Sequence, residues 1–192
     1  MDVMSGLRSD VYRVLVTSLI PGTICTAPYM CMLAHYFRRV AAFIDVQPVA
    51  AGVVYFILVV IAAQVVENLG SQLESKAWDP LLEKRDPLHM ENWSKYLQMA
   101  FKTTPVGEEY IRVVVLRLKF ELNTGMALLL SAYGYWWIMP MKAGLSLGAS
   151  LWIPGVILAV AGYLFFESYE SCRVLSSARR VLVEKVTLVG DE

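Results

Sequence analysis

Residues 49–66 read VAAGVVYFILVVIAAQVV, eighteen positions of which only Gln64 is strongly polar. At about 1.5 Å per helical residue this run covers about 27 Å, close to the roughly 30 Å hydrocarbon core of a bilayer. A water-soluble helix of that length would need a polar face, and this one has none. The stretch therefore predicts a membrane-spanning helix, and the rest of the chain is read outward from it.

Three further stretches share the character. Residues 122–139 (LNTGMALLLSAYGYWWIM) and 147–166 (LGASLWIPGVILAVAGYLFF) have spanning length. Residues 14–37 are apolar but carry Pro21, Gly22 and Pro28. Proline removes a backbone donor, so this segment should be kinked or broken, and it either spans or re-enters the membrane. Arg8 and Arg13 precede it as in a signal peptide, but Ala27-Pro28 is a poor cleavage junction, so it is read as retained. The chain has 192 residues, 57% hydrophobic and 18% charged, whereas soluble domains run at about 45–50% apolar and about 25% charged. The expected fold is all-α: a multi-pass membrane bundle of about four transmembrane helices with a helical cap, assembling as a homo-oligomer, with a tetramer as the working number.

Charge segregation gives the topology. Lys plus Arg equal Asp plus Glu at 17 each, which argues for neither nucleic acid nor an acidic partner. Eight of the basic residues lie between Glu67 and Glu121, four after Glu167 and two before the first segment. Only Arg38, Arg39 and Lys142 fall on the other connections. The positive-inside rule places both termini and the long loop in the cytoplasm, with the cell inner membrane as location; Arg38 and Arg39 run against the rule. The chain divides into residues 1–66 (first two spans), 67–121 (cytoplasmic helical cap), 122–166 (last two spans) and 167–192 (cytoplasmic C-terminal helix). Within the cap, the second span runs on as ENLGSQLESKAW, and Asp86-Pro87 is an N-cap signal followed by proline at the first helical position. Thr104-Pro105 repeats that signal ahead of a helix running into the third span. Trp136, Trp137 and Trp152 cluster at the Pro140–Ser146 end of the last hairpin, where indole rings mark a membrane boundary.

Polar groups collect at the inner ends of the spans. Gln64, Glu67 or Asn68, Ser71 and Glu74 fall on one helix face; Glu121 and Asn123 open the third span, and Glu167 and Glu170 close the fourth. Two arrangements are open. In an oligomer these side chains could ring a vestibule, as carboxylates do in cation-selective pores. Alternatively they are interfacial residues paired with Arg117, Lys119 or Arg173. Gln64 and Asn123 lie within lipid depth and either bond across helices or face water. Gly148, Gly155, Ala159 and Gly162 form a small-residue face for close packing within or between subunits, and Pro154 is a candidate hinge. The three cysteines, Cys25, Cys31 and Cys172, have no disulfide or zinc spacing and read as free thiols. No pattern implies a catalytic set, a metal or a cofactor. The cap's dispersed basic residues would suit anionic lipid, or a nucleotide or nucleic-acid signal.

The run Glu67-Asn68-Leu69-Gly70-Ser71-Gln72-Leu73-Glu74, then Trp78-Asp79, Trp93-Ser94-Lys95-Tyr96-Leu97, Tyr110 and Lys119-Phe120-Glu121-Leu122, resembles small bacterial membrane proteins of anti-phage defence. It is similar to transmembrane effectors or sensors such as the channel component of Hailong-type systems or the membrane component of Kiwa-type systems. The likeness covers residues 60 to 125. It implies a homo-oligomeric pore opened or closed by a cytoplasmic signal from a partner enzyme. The expected function is an oligomeric ion-conducting effector gated through the cap, not an enzyme. The alternative is a non-conducting anchor or sensor whose cap docks a cytoplasmic partner, with Trp93 and Tyr96 as exposed contact residues.

Overall fold

The computed structural model describes residues 13–98, 106–138 and 147–190, and every element in them is helical. A π-helical turn, Leu15–Leu19, leads into α1 (Ile20–Tyr36), and a short α2 (Arg38–Val46) follows. Next, α3 (Pro48–Leu73) passes through a second π turn, Glu74–Trp78, into α4 (Asp79–Arg85). Then come α5 (His89–Gln98), α6 (Val106–Ile138) and α7 (Leu147–Gly190).

Proline chemistry explains the π turns. Each ends two residues before a proline, Pro21 or Pro80. A proline ring has no N–H to offer the carbonyl four residues back and crowds it. Those carbonyls, Thr17 and Lys76, both lie inside the π turns, where the widened coil makes room. The expected break in segment one is thus a change of helical register, and Pro28 sits inside an otherwise continuous α1.

Among the described residues three long helices are apolar enough to cross a membrane: Leu15–Tyr36 with 22 residues, Pro48–Arg85 with 38 and Trp152–Glu184 with 33. The second would be about 57 Å long, roughly twice the hydrocarbon thickness, so its second half extends beyond the apolar run. Side chains on these helices point outward without cover: Val53 and Phe56 are each 56% exposed, Phe166 62% and Trp152 74%. Such surfaces suit helices whose solvent is lipid rather than water. The remaining expected span, 122–139, forms the C-terminal half of α6 up to Ile138. It differs from the others in being enclosed, with Leu122, Asn123, Thr124, Ala127, Ser131 and Ala132 all buried.

Helix α6 is the central element, packed on α7, α1 and α3. At the level of the apolar run, Cys25, Val66 and Ala127 form one small core. Beyond it a larger core joins Leu82, Ile111, Leu118, Leu122 and Leu175, with Trp78 and Tyr169 against it. The cap is therefore continuous with the bundle. Asp86 holds the turn ahead of α5, its carboxylate accepting the Leu88 N–H at 3.2 Å, and the helix begins at His89 rather than at Pro87 as expected. Nothing in the segment reading anticipates α2, whose Val40, Phe43 and Ile44 lie at helical spacing opposite Arg38 and Asp45, with Arg39 at the edge of the apolar face. The Pro140–Ser146 turn and Thr104-Pro105 lie outside the described residues.

Candidate functional site at the inner ends of the helices

Helix α3 turns Val59, Ala63, Val66 and Gly70 inward, a face of small and β-branched residues that meets α1 and α6. Gly22 lies against it so closely that a Cβ there would stand 2.5 Å from the Val59 carbonyl oxygen. The opposite face leaves Gln64 and Asn68 exposed, with Glu67 half-buried beside them. None of these three has a hydrogen-bond or ion-pair partner among the described residues. They form a polar patch at the cap-side end of the apolar run of α3, facing away from the rest of the chain.

The other expected vestibule residues sit differently. Glu74 accepts Lys119 Nζ at 2.9 Å, and the same amine donates to Ser71 at 3.2 Å. Glu121 is buried; it accepts Arg117 Nε at 2.6 Å and the Ser171 hydroxyl at 2.7 Å. The other arm of Arg117 reaches Glu167. The Glu121 hydrogen bond, followed by its charge, raises the Arg117 guanidinium above its usual range and keeps it protonated. Glu170 pairs with Arg173 at 2.9 Å. Each of these four carboxylates is thus paired with a cation of its own chain, Arg117 being shared by Glu121 and Glu167.

Asn123 is 1% exposed and donates through Nδ2 to the Thr17 carbonyl at 2.7 Å. Its Oδ1 lies where a Cβ on Gly70 would stand, 2.6 Å away, and accepts no hydrogen bond. The amide thus locks α6 to the π turn and presses on α3, the cross-helix role rather than a water-facing one.

A second polar cluster joins the cap to α7. His89 is 4% exposed; its Nδ1 is 2.8 Å from the Ser176 hydroxyl and its Nε2 is 3.6 Å from Asp79. Nucleophile, base and acid types stand in a row, but Ser176 is buried in mid-helix. What the cluster does mechanically is tie α4, α5 and α7 together. Arg179, also buried, lies 3.8 Å from the centroid of the Trp93 ring, which stacks on Tyr96, a cation–π stack shielded from water. Trp93 and Tyr96, expected as exposed docking residues, are half-buried here. The correction follows from their contacts: Arg179 covers the Trp93 ring, and Trp93 in turn stacks on Tyr96.

Trp136 is exposed beside the outer end of α6, as is Trp152 on α7; the Trp137 side chain lies outside the described residues. Pro154 is fully buried, whereas a Cβ on Gly155 or Gly162 would meet nothing within 4 Å. Among the described residues neither glycine is closely packed against another helix; the surroundings of Gly148 lie outside the described residues. Cys25 and Cys172 are buried free thiols and Cys31 is an exposed one. Sequence reasoning missed Ser168 and Ser171. Ser168 accepts Trp78 Nε1 at 3.0 Å, and Ser171 supports Glu121. Their only signal is the spacing of serines along one face of α7. Compared with protein-family models, curated proteins and solved structures, the chain matches none.

Proposed function

We propose that the chain is the protomer of a homo-oligomeric, four-span membrane effector that conducts ions, with Gln64, Glu67 and Asn68 lining the inner mouth. The observation that carries this reading is their lack of partners, while Glu74, Glu121, Glu167 and Glu170 at the same level are all paired. An amide left on the outside of an apolar helix is costly in lipid, so it faces another subunit or a water-filled passage. A protomer cored by packed side chains has no lumen of its own, so the passage lies between subunits. One carboxylate per subunit at Glu67 would give a ring that draws cations. The open Gly155 and Gly162 face supports close packing of subunits.

In this reading both termini and the cap are cytoplasmic, and the rigid connection of cap to span through α3, the π turn and α4 carries a gating signal to the mouth. The likeness to defence-system membrane components suggests a signal produced during phage infection, such as a nucleotide made by a partner enzyme. Reconstituted protein in planar bilayers, scanned over voltage and exposed to extract from infected cells, should pass cations. Glu67→Gln should lower cation selectivity. Inserted protein that stays silent under all of these conditions contradicts the proposal.

A second reading, a non-conducting anchor or sensor, is favoured by Leu88 and Leu97 on the cap, 51% and 63% exposed. It calls for a soluble partner that co-purifies with the wild type and is lost from Leu97→Glu.

A further inference from the structure

The outer side of the molecule carries a cleft unconnected with the inner polar patch. Helix α2 folds back between α1 and α3 and leaves a cavity of about 340 Å³, lined by Leu33 from α1, Arg39 and Phe43 from α2, and Ala51, Val54 and Leu58 from α3 among others. Arg39 is the sole charged residue of the lining and contributes its aliphatic stem, leaving the guanidinium outside the apolar wall. Its side chain is exposed and has no ion-pair or hydrogen-bond partner among the described residues. The other charges on α2 are Arg38 beside it and Asp45 near the far end of the helix.

We infer that this cleft is a phospholipid site, in which one acyl chain fills the apolar groove and Arg39 binds the phosphate. Three observations converge on that occupant. The lining is otherwise apolar, so a soluble polar metabolite would lose its hydration without compensation. The single cation complements a phosphate, which a guanidinium can bind with two parallel hydrogen bonds. The groove opens between two helices apolar enough to span a bilayer, so lipid is the molecule that meets it; the inference rests on that membrane reading and is independent of conduction. The volume lies near the lower end of ligand pockets, about 300–1,000 Å³, which suits part of a chain rather than a whole lipid. The site also explains why two arginines stand at the outer boundary against the positive-inside rule: α2 is an interfacial amphipathic helix whose cation meets a headgroup.

Native mass spectrometry of the full chain, released from detergent with added phosphatidylglycerol, tests the inference. Diacylglycerol with the same chains serves as the headgroup-free control. Wild type should retain one phospholipid and several-fold less diacylglycerol. Arg39→Gln should lower phospholipid retention several-fold, to the diacylglycerol level, whereas Arg38→Gln should leave it unchanged. Ala51→Phe, which fills the groove, should reduce both; Val54→Trp is the second filling variant should Ala51→Phe fail to fold. Phospholipid retention that is equal in wild type, Arg39→Gln and a folded groove-filling variant would overturn the site and leave only lipid of the general annulus.

Discussion

The Asn123 side chain donates to the carbonyl of Thr17, the group that Pro21, four residues further on, cannot reach with an N–H. A helix at membrane depth has no water to satisfy such a carbonyl, so a neighbouring helix must do so. The polar residue in α6 and the proline in the first turn of α1 are thus two halves of one device.

Asn123→Ala should therefore destabilise the bundle by about 1–2 kcal/mol, the range for a cross-helix hydrogen bond whose partner is left bare. The loss should shrink when Pro21→Ala is added, because residue 21 then supplies its own N–H. Unfolding in mixed micelles, run on both single variants and the double, reads this coupling directly. Additive losses would show that the two residues act separately.

Glu121 and Arg173 contrast a buried carboxylate, whose partner Arg117 is 60% exposed, with a pair exposed on both sides. Arg117→Ala leaves the Glu121 carboxylate buried with only Ser171 beside it and should cost about 2 kcal/mol or more. Arg173→Ala breaks a pair whose members are 44% and 40% exposed and should cost under about 1 kcal/mol. Glu121→Gln should recover part of the Arg117→Ala loss, since no buried charge then remains. Thermal aggregation in detergent ranks the three.

Removing the His89 imidazole strands Ser176 and leaves a void between α4 and α7. His89→Ala should loosen the cap by about 2–3 kcal/mol and raise the rate of proteolysis within α5. The membrane core around Val66 and Ala127 should keep its protection in hydrogen exchange. Equal loss of protection in both regions would mean that cap and bundle unfold as one.

Two glycines should respond with opposite signs. A methyl at Gly22 would collide with the backbone of α3, and Gly22→Ala should cost about 1–3 kcal/mol. Gly162→Ala meets open space and should be neutral or gain up to about 1 kcal/mol from helix propensity. Gly162→Leu should leave the protomer folded yet weaken its assembly, which the mass of the detergent-solubilised particle would reveal.

The apolar runs were legible because length and composition alone fix a lipid-facing helix, and the continuation of the second run into the cap followed from uninterrupted helical residues. Partners across helices were not legible. Glu74, Glu121 and Glu167 look alike in sequence to Glu67, and only the placement of Lys119 and Arg117 on α6 separates paired from unpaired. The same holds for glycine: Gly155 and Gly162 carry the more regular spacing, but Gly22 and Gly70 make the close approaches because they sit where α3 meets α1 and α6. Helix α2 escaped notice because nine residues of amphipathic pattern between two apolar runs read equally well as a loop.

Cross-linking through the polar face of α3 tests the central claim most directly. In a background with Cys25, Cys31 and Cys172 replaced by serine or alanine, Asn68→Cys is oxidised in native membranes. A homo-oligomer lined by this face predicts strong disulfide-linked dimers from Asn68→Cys and none from Phe56→Cys, which is exposed but about 120° away around the same helix. Monomers alone from Asn68→Cys, in protein that remains membrane-bound, would contradict it.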